Sequence, residues 1–477
     1  MQWLDIAKEF VGMFRQEIIY LSYTILLFGL FQNFIYLLQL PLAMSELINI
    51  KLQQRDQHSW WLMTSDIALP ISIIIPAYNE QMTIVETVSS TIAIQYPAFE
   101  VIVVNDGSKD DTVKTLIEKF DLRISERFYE NQLKHKKVKA IYNSPIYPNL
   151  IVVDKENGGR SDALNAGIDI ARNPVFCTLD ADSILDPSAL LETIQPFIEN
   201  PDKMVATGGT VRIVNGCQVE NGTIIKVQLS NKILVLLQIV EYIRAFLMGR
   251  LAYSRLGIVT IISGAFAVFK RDIAVAAGGF THNTMGEDLE LVIKIHKYCC
   301  RHKIKYQMRF VPEPVCWTEA PESMEVLKKQ RIRWQQGGLE VFFRHRDMLF
   351  NPKYGRIGML AYPLMLVFDV IGPLAELLSY ILFPIFYMLG ALNLKFMIAF
   401  LAMFFVFGIF ISVMSLVLEE MSLKRFNSVK ELIILGFTAI IENFGYRQYN
   451  NIWRIIGWWR FIRKKQHWGD MKRIGRK

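Results

Sequence analysis

The apolar residues of this 477-residue chain are spread unevenly, and that unevenness constrains the fold more than any single motif. Residues 18–44 and 357–450 are dominated by apolar side chains, whereas 70–345 mixes apolar and polar runs as a water-soluble α/β domain does. About 20 consecutive apolar residues span a bilayer. Within lipid, each backbone polar group must be satisfied by its own helix or by a closed barrel. Residues 18–44 are long enough to cross, with polar breaks at Gln32, Asn33 and Gln39. No small-residue cleavage site follows, so a retained anchor is expected rather than a removed leader. Residues 1–16 are shorter and mixed, in the manner of an interfacial helix, which makes 1–45 an interfacial and transmembrane unit. Toward the other end, 395–418 reads as a clear span and 430–446 as a shorter one. Residues 357–392 read as one tilted helix or as two crossings broken near Gly372-Pro373.

The net charge is +8, and it clusters beside these segments. Lys51 and Arg55 follow the first. Arg454, Arg460, Arg463, Lys464, Lys465, Lys472, Arg473, Arg476 and Lys477 form a basic amphipathic tail over 451–477. Cations flanking apolar spans mark the cytoplasmic side and suit anionic membrane lipids. The expectation is a multi-pass protein of the inner or plasma membrane, with the domain between the apolar zones in the cytoplasm. No nucleic-acid-binding signature accompanies the charge, so no nucleic-acid partner is expected. Asp369, Glu376 and Glu442 fall in or near the second apolar region. Bare charges there are costly, so they should face the protein interior, a cavity or the interface, as part of a polar path or of interhelical packing. The five cysteines form no CxxC pair, which fits a reducing compartment and neither a disulfide framework nor a zinc site.

Between the apolar zones, 46–69 reads as a polar linker with Trp60 and Trp61 as interface anchors. Apolar runs at 71–75, 101–104, 151–153, 175–179 and 204–214 alternate with helical patterns. The first four are apolar throughout, as strands buried on both faces are, so a mostly parallel, Rossmann-like sheet is expected. Ser108 and Asp111 resemble a capping box, and Asp186-Pro187 a helix start. Residues 223–250 read as an amphipathic helix lying on the membrane or on the domain, since their charges leave only 233–240 uninterrupted. A further interfacial segment is expected over 338–356.

Several loops at strand ends carry chemistry. Pro76-Ala77-Tyr78-Asn79-Glu80 and Asn105-Asp106-Gly107-Ser108 end the first two strands, where ligands bind in parallel α/β sheets. Asp106 could accept hydrogen bonds from a base or ribose, although Asp, Gly and Ser also make plain turns. In Asp154-Lys155-Glu156-Asn157-Gly158-Gly159-Arg160, the glycines allow close backbone approach, and Lys155 and Arg160 could face a diphosphate. Asp180-Ala181-Asp182 puts two carboxylates at the end of a buried strand, which a hard divalent cation shared with phosphate oxygens would reconcile. Ser263-Gly264-Ala265-Phe266 and Gly278-Gly279-Phe280 are expected to flank a helix, and Glu287-Asp288 opens the next one. Asp288 could be a general base or simply favourable charge at a helix N-terminus. Gln330, Arg333 and Trp334 lie on a polar helix, where Arg333 could hold a phosphate and Trp334 could stack on a sugar.

Taken in order, Asn105–Ser108, Asn157-Gly158-Gly159-Arg160-Ser161-Asp162-Ala163-Leu164-Asn165, Asp180-Ala181-Asp182, Glu287-Asp288 and Gln330-x-x-Arg333-Trp334 resemble the membrane-embedded family 2 glycosyltransferases. That group contains cellulose, chitin, hyaluronan and poly-N-acetylglucosamine synthases. The resemblance implies a GT-A domain over 70–337, C-terminal transmembrane helices over 357–450, and inverting transfer from a UDP-sugar. It implies that Tyr78, Glu80 and Asp106 hold uridine, and that Asp180 and Asp182 hold the diphosphate with magnesium or manganese. Asp288 would be the base. Gln330, Arg333 and Trp334 would border the diphosphate and the acceptor, with Glu287, Ser263 and Gly264 alongside. Gly286 departs from the Thr-Glu-Asp of cellulose synthases, which argues against cellulose as product. The expected acceptor is a growing glycan, with a lipid-linked or protein acceptor as the single-transfer alternative. An accessory export or regulatory subunit is compatible with the pattern. A catalytically inactive glycan-binding subunit and a transporter are the readings from other classes. Filled acidic positions oppose the first, and the lack of a Walker loop opposes the second.

Overall fold

The computed structural model describes residues 13, 15–55, 68–220, 222–388, 394–423 and 428–464. Runs of β-branched residues that cannot face water from either side become the centre of a ten-stranded sheet. The strands up to the sixth are Ile71–Ala77 (β1), Phe99–Asn105 (β2), Arg123–Ile124 (β3), Val138–Asn143 (β4), Leu150–Lys155 (β5) and Val175–Leu179 (β6). The others are Ile184–Leu185 (β7), Met204–Ile213 (β8), Gln218–Glu220 (β9), Thr223–Lys226 (β10), Phe266–Lys270 (β11) and Gln307–Thr318 (β12). The main sheet runs β3-β4-β5-β2-β1-β6-β11-β8-β12-β7. Strands β5, β2, β1 and β6 are parallel neighbours, as the apolar runs predict. Beyond β6 the sheet is mixed: β11 is antiparallel to both β6 and β8.

Register brings the site loops level. Ala77 pairs with Asn105, and Asn105 with Asp154, so the loops after β1, β2 and β5 leave the sheet side by side. The chain fills the sheet on one side of β1 and then crosses to β6 on the other, which opens a crevice at the carboxyl ends. Because β11 runs the opposite way, its first residue, Phe266, pairs with Leu179, the last of β6. The preceding Ser263-Gly264-Ala265 loop therefore arrives at the same edge as Asp180, whose N–H donates to the Ala265 carbonyl at 3.2 Å.

Alternation along β1 divides the interior into two layers. Ile71, Ile73 and Ile75 pack with helices Ile84–Ile92, Thr112–Phe120 and Ala189–Glu199. Ile74 points to the other face, against helices Arg160–Ile170 and Glu287–Arg301. Each such fully buried isoleucine contributes roughly 1.5–3 kcal/mol. Helix Arg160–Ile170 lies directly on the sheet at Gly167, where a Cβ would come within 2.4 Å of the Ile74 side chain.

Several expected boundaries move. The segment over 223–250 begins as a hairpin, β9–β10, because Thr223-Ile224-Ile225 is β-branched and Gly222 turns at φ +73°. Its helix begins at Ile233 and runs through a π-type stretch, Ile243–Arg250, into Leu251–Leu256. Thr112–Phe120 starts without the Ser108–Asp111 capping box. Asp110 Oδ1 instead accepts from the Thr112 N–H at 3.1 Å, while Ser108 Oγ accepts from the Asn79 N–H. Helix Ala189–Glu199 starts two residues beyond Pro187, with Asp186 Oδ1 accepting from the Ser188 N–H and hydroxyl. Helix Met324–Arg344 continues unbroken into the segment expected to be separate at 338–356.

Among the described residues, three helices are long and apolar enough to cross a membrane: Gln16–Leu52, Ile357–Met388 and Met397–Met421. The first belongs to helix Arg15–Arg55, which absorbs the start of the expected linker; Trp60 and Trp61 lie outside the described residues, as do 1–12 and the tail from Lys465. Residues 357–388 form one helical run. The Gly372-Pro373 break becomes a π-type segment, Leu366–Ile371, immediately before the proline that lacks an N–H. Val429–Ile441 has 13 residues, short for a crossing. It turns at Gly445 into Tyr446–Ile462.

The acidic residues of this region have partners. Glu442 is fully buried and receives Arg244, Arg447 and the Ser412 hydroxyl. Glu376 accepts from Tyr380 at 2.5 Å, and Asp369 lies 3.4 Å from Arg454. Glu442 thus ties the helix after β10 to the C-terminal helices. Removing one partner of a buried pair leaves an uncompensated charge, costing roughly 3–5 kcal/mol. The Glu442→Ala variant is therefore expected to lose thermal stability in detergent by several degrees, read by a melting curve against wild type, whereas substituting the exposed Glu325 should leave it unchanged.

Candidate functional site

The loop after β5 folds back onto Asp106. Gly107 and Gly159 adopt positive φ, +65° and +92°, and a Cβ on Gly107 would come within 2.8 Å of the Asn157 nitrogen. This approach lets the buried Asp106 carboxylate collect the amides of Gly158 at 3.0 Å and Gly159 at 2.7 Å, with Asn157 Nδ2 at 3.2 Å. Lys155 completes the nest: its ammonium is fully buried, 2.5 Å from both Asp106 and Asp162. Lys155 is enclosed between two carboxylates, where its charge serves the loop. Both Asp106 oxygens are occupied by donors of its own chain, so the carboxylate organises the loop around the expected uridine position. Asp162, which also accepts from the Lys136 N–H at 3.0 Å, lies in the motif after β5, but the sequence assigned it no role of its own.

Tyr78 and Glu80 stand at the end of β1, next to this nest. Their loop is held by the Asn79 N–H to Ser108 Oγ at 2.9 Å and the Glu80 N–H to Thr112 Oγ1 at 3.0 Å. The Tyr78 ring is exposed, whereas Glu80 is buried and accepts from Thr83 at 3.0 Å.

A second cluster forms where β6, the loop before β11 and helix Glu287–Arg301 meet. Arg160 is its hub. Nε and Nη2 donate to Asp180 Oδ1 at 3.2 and 2.7 Å, Nη1 donates to Glu287 Oε1 at 2.8 Å, and Nη2 also donates to the Gly264 carbonyl at 2.7 Å. A guanidinium has five N–H donors, and these bonds use four of them, which gives Arg160 an architectural role. Burial disfavours its charge, but Asp180 and Glu287 more than offset this and raise its pKa. Burial pushes the Glu287 carboxyl up, against the pull of Arg160, and the neighbouring Asp288 adds to the rise.

Asp288 lies half-buried in the first turn of its helix, with Oδ1 accepting from the Leu289 N–H at 2.9 Å. Its Oδ2 would be 3.0 Å from a Cβ on Gly264, so glycine is what admits that carboxylate beside the loop. Ser263 Oγ accepts from the Ala265 N–H at 3.2 Å. Asp182 is half-buried two residues beyond Asp180, in a turn anchored by the Thr87 hydroxyl to the Ala181 carbonyl at 2.7 Å. Asp180, Glu287, Asp288, Gly264 and Arg160, chosen from distant parts of the sequence, are thereby brought together.

Gln330, Arg333 and Trp334 lie on helix Met324–Arg344. Trp334 is 44% exposed, large for an indole, and the Arg331 guanidinium sits 4.3 Å from its ring centroid. Arg331 is held by Glu241 at 2.8 Å, which also accepts from Tyr446. This support spans three helices and carried no local sequence signal. All five cysteines are free thiols, as their spacing predicts.

Comparison with known proteins agrees with this geometry. Residues 72–276 match the family model for glycosyl transferase family 2, and 175–411 the model for glycosyl transferase family group 2. A poly-beta-1,6-N-acetyl-D-glucosamine synthase of Staphylococcus epidermidis is 31% identical over 275 residues, covering 57% of this chain and 56% of that protein. Its namesake in Staphylococcus aureus strain COL is 32% identical over 277 residues, with the same coverage. The chain thus spans about half the length of the curated relatives it matches. Among solved structures, a mannosyltransferase of Pyrobaculum calidifontis in complex with GDP-Man and Mn2+ superposes with a TM-score of 0.50 at 16% identity, over 90% of this chain and 99% of that one. That likeness speaks to the GT-A fold alone.

The Lys155 nest generates a test. A methionine at 155 leaves Asp106 and Asp162 buried without their cation, at a cost of roughly 3–5 kcal/mol. Lys155→Met should lower the melting temperature before any nucleotide is added. A variant with unchanged stability but weakened UDP binding would return Lys155 to the diphosphate.

Proposed function

Because the chain belongs to the family 2 glycosyltransferases, we propose that it is an inverting transferase of the cell membrane that moves a hexose or N-acetylhexosamine from a UDP-sugar onto a growing polysaccharide. The names of the relatives put N-acetylglucosamine first among the sugars. The observation that carries the reading is the convergence of Asp180, Glu287 and Asp288 around Arg160, with Asp288 beside the glycine loop.

In this reading the Asp288 carboxylate takes the proton of an acceptor hydroxyl as its oxygen bonds to the anomeric carbon, while the bond from that carbon to the diphosphate oxygen breaks. A hydroxyl is a weak nucleophile, and a positioned base gains roughly 10²–10⁴ in rate. Glu287 and Arg160 hold the helix start that presents Asp288, and the open faces of Tyr78 and Trp334 offer aromatic surfaces for base and sugar.

Among the described residues, no three His, Cys, Asp or Glu side chains converge on a metal position. Asp180 and Asp182 do provide hard oxygen donors two residues apart, which fits magnesium or manganese when diphosphate oxygens complete the shell. Held by these two aspartates, such a cation would supply charge neutralisation of the departing diphosphate. The catalytic domain is proposed to face the cytoplasm, where UDP-sugars are available and where the basic residues next to the apolar helices would meet anionic lipid.

Three measurements test this. Purified membranes should release UDP from at least one member of a UDP-sugar panel and form a polymer sensitive to a linkage-specific hydrolase; release without polymer points to single transfer. Asp288→Asn should lose at least ~100-fold in transfer while still binding the UDP-sugar, and near-normal turnover would remove Asp288 from the base role. Excess chelator should abolish activity, with magnesium or manganese restoring it; full activity in chelator would overturn the metal assignment.

A further inference from the structure

The helix that carries Trp334 meets the loop just before the Asp288 helix at backbone-to-backbone distance. A Cβ on Gly286 would lie 3.2 Å from the Gly337 carbonyl carbon and oxygen. A Cβ on Gly337 would lie 2.8 Å from the Gly286 nitrogen and the Met285 carbonyl carbon. Cβ contacts below about 3.0 Å force a shift, so two facing glycines are what permit this crossing. Glu340, one turn further along the helix, fastens it: Oε2 accepts from the Met285 N–H at 3.0 Å and from Thr284 Oγ1 at 3.3 Å, while Gln336 steadies Oε1 at 3.0 Å.

The spacing of these residues gives the contact a use. Residues three and four apart share a helix face, so Gln330, Arg333, Trp334, Gly337 and Glu340 form one stripe. Trp334 stands one turn from Gly337, roughly 4.5 Å along the axis, and Asp288 is two residues beyond Gly286. Gly338, the next residue in the chain, is four residues from Trp334 but makes no such crossing: a Cβ there would meet nothing within 4 Å.

We propose that Gly286, Gly337 and Glu340 are positioning residues: their clasp sets the separation between the Asp288 carboxylate and the Trp334 ring, and so the room for the acceptor sugar. This rests on the acceptor roles given above to Asp288 and Trp334. The uridine side of the site stands on other elements, the loops after β1, β2 and β5. Gly286 is the position where cellulose synthases carry threonine, and here its lack of a side chain is tied to glycine at 337.

The test compares full-length Gly337→Ala, Gly286→Ala, Glu340→Gln and Gly338→Ala in membranes, with the UDP-sugar that wild type turns over. Misplacement by an ångström costs about 100-fold in well-ordered sites. Gly337→Ala is therefore expected to reduce product length or raise the acceptor KM by roughly tenfold or more, with the donor Kd within about twofold of wild type. Gly286→Ala and Glu340→Gln should show smaller losses of the same kind, and they carry the test if Gly337→Ala fails to fold. Gly338→Ala should match wild type. Equal behaviour of the 337 and 338 variants overturns the clasp, as does a donor Kd that weakens in step with the acceptor KM. Wild-type membranes inert toward every UDP-sugar overturn the functional reading instead.

Discussion

One guanidinium joins the two halves of the site. Asp180 ends a strand in the parallel half of the sheet, whereas Glu287 opens a helix that packs on its other side, and Arg160 holds both while bonding the Gly264 carbonyl between them. Without that cation, three carboxylates at 180, 287 and 288 would converge with little to offset their repulsion. A planar fork of fixed donors suits the task better than a lysine would, since it bonds several acceptors at once. Arg160 itself begins the helix that lies on β1 at Gly167, so the hub is anchored to a strand buried on both faces.

The second enclosed cation, Lys155, works differently. It is out of contact with water and sits between Asp106 and Asp162, a geometry in which each charge is compensated only while all three remain in place. The glycine amides at 158 and 159 complete the coordination of Asp106. The chain thus uses cations inside the protein to shape loops, and leaves exposed aromatic faces and the Asp180–Asp182 turn as the surfaces a ligand would meet.

Much of this was legible in the sequence because it is local. Fully apolar runs at 71–75, 101–104, 151–153 and 175–179 gave strands in the expected places, and the acidic and glycine-rich motifs fell at their ends. What could not be read depends on partners far apart in the chain. The sequence marks Lys155 and Arg160 as cations near a Gly-Gly pair, but only the fold brings Asp162, Asp180 and Glu287 to them. The same holds for Glu241 with Arg331, and for Gly286 with Gly337. The hairpin at β9–β10 was overlooked because helical periodicity in the following residues outweighed the β-branched Thr223-Ile224-Ile225. The expected cap at Ser108 failed because its hydroxyl accepts from Asn79 instead, whereas Asp186 does accept from the Ser188 N–H two residues on, as a capping carboxylate does.

The apolar layer beneath β1 does not stop at the boundary of the water-soluble domain. Ala43 and Leu47 of the first long helix, and Ile411 and Leu418 of helix Leu394–Leu423, belong to the same cluster as Ile71 and Ile73. The catalytic domain therefore cannot finish its core during synthesis until the ribosome has delivered residues more than 300 positions after β1. Until then a partly covered sheet face is open to other apolar surfaces, the circumstance in which large proteins aggregate. Membrane insertion and completion of the enzyme are consequently one folding event, and a version cut down to its soluble portion would carry the unfinished face permanently.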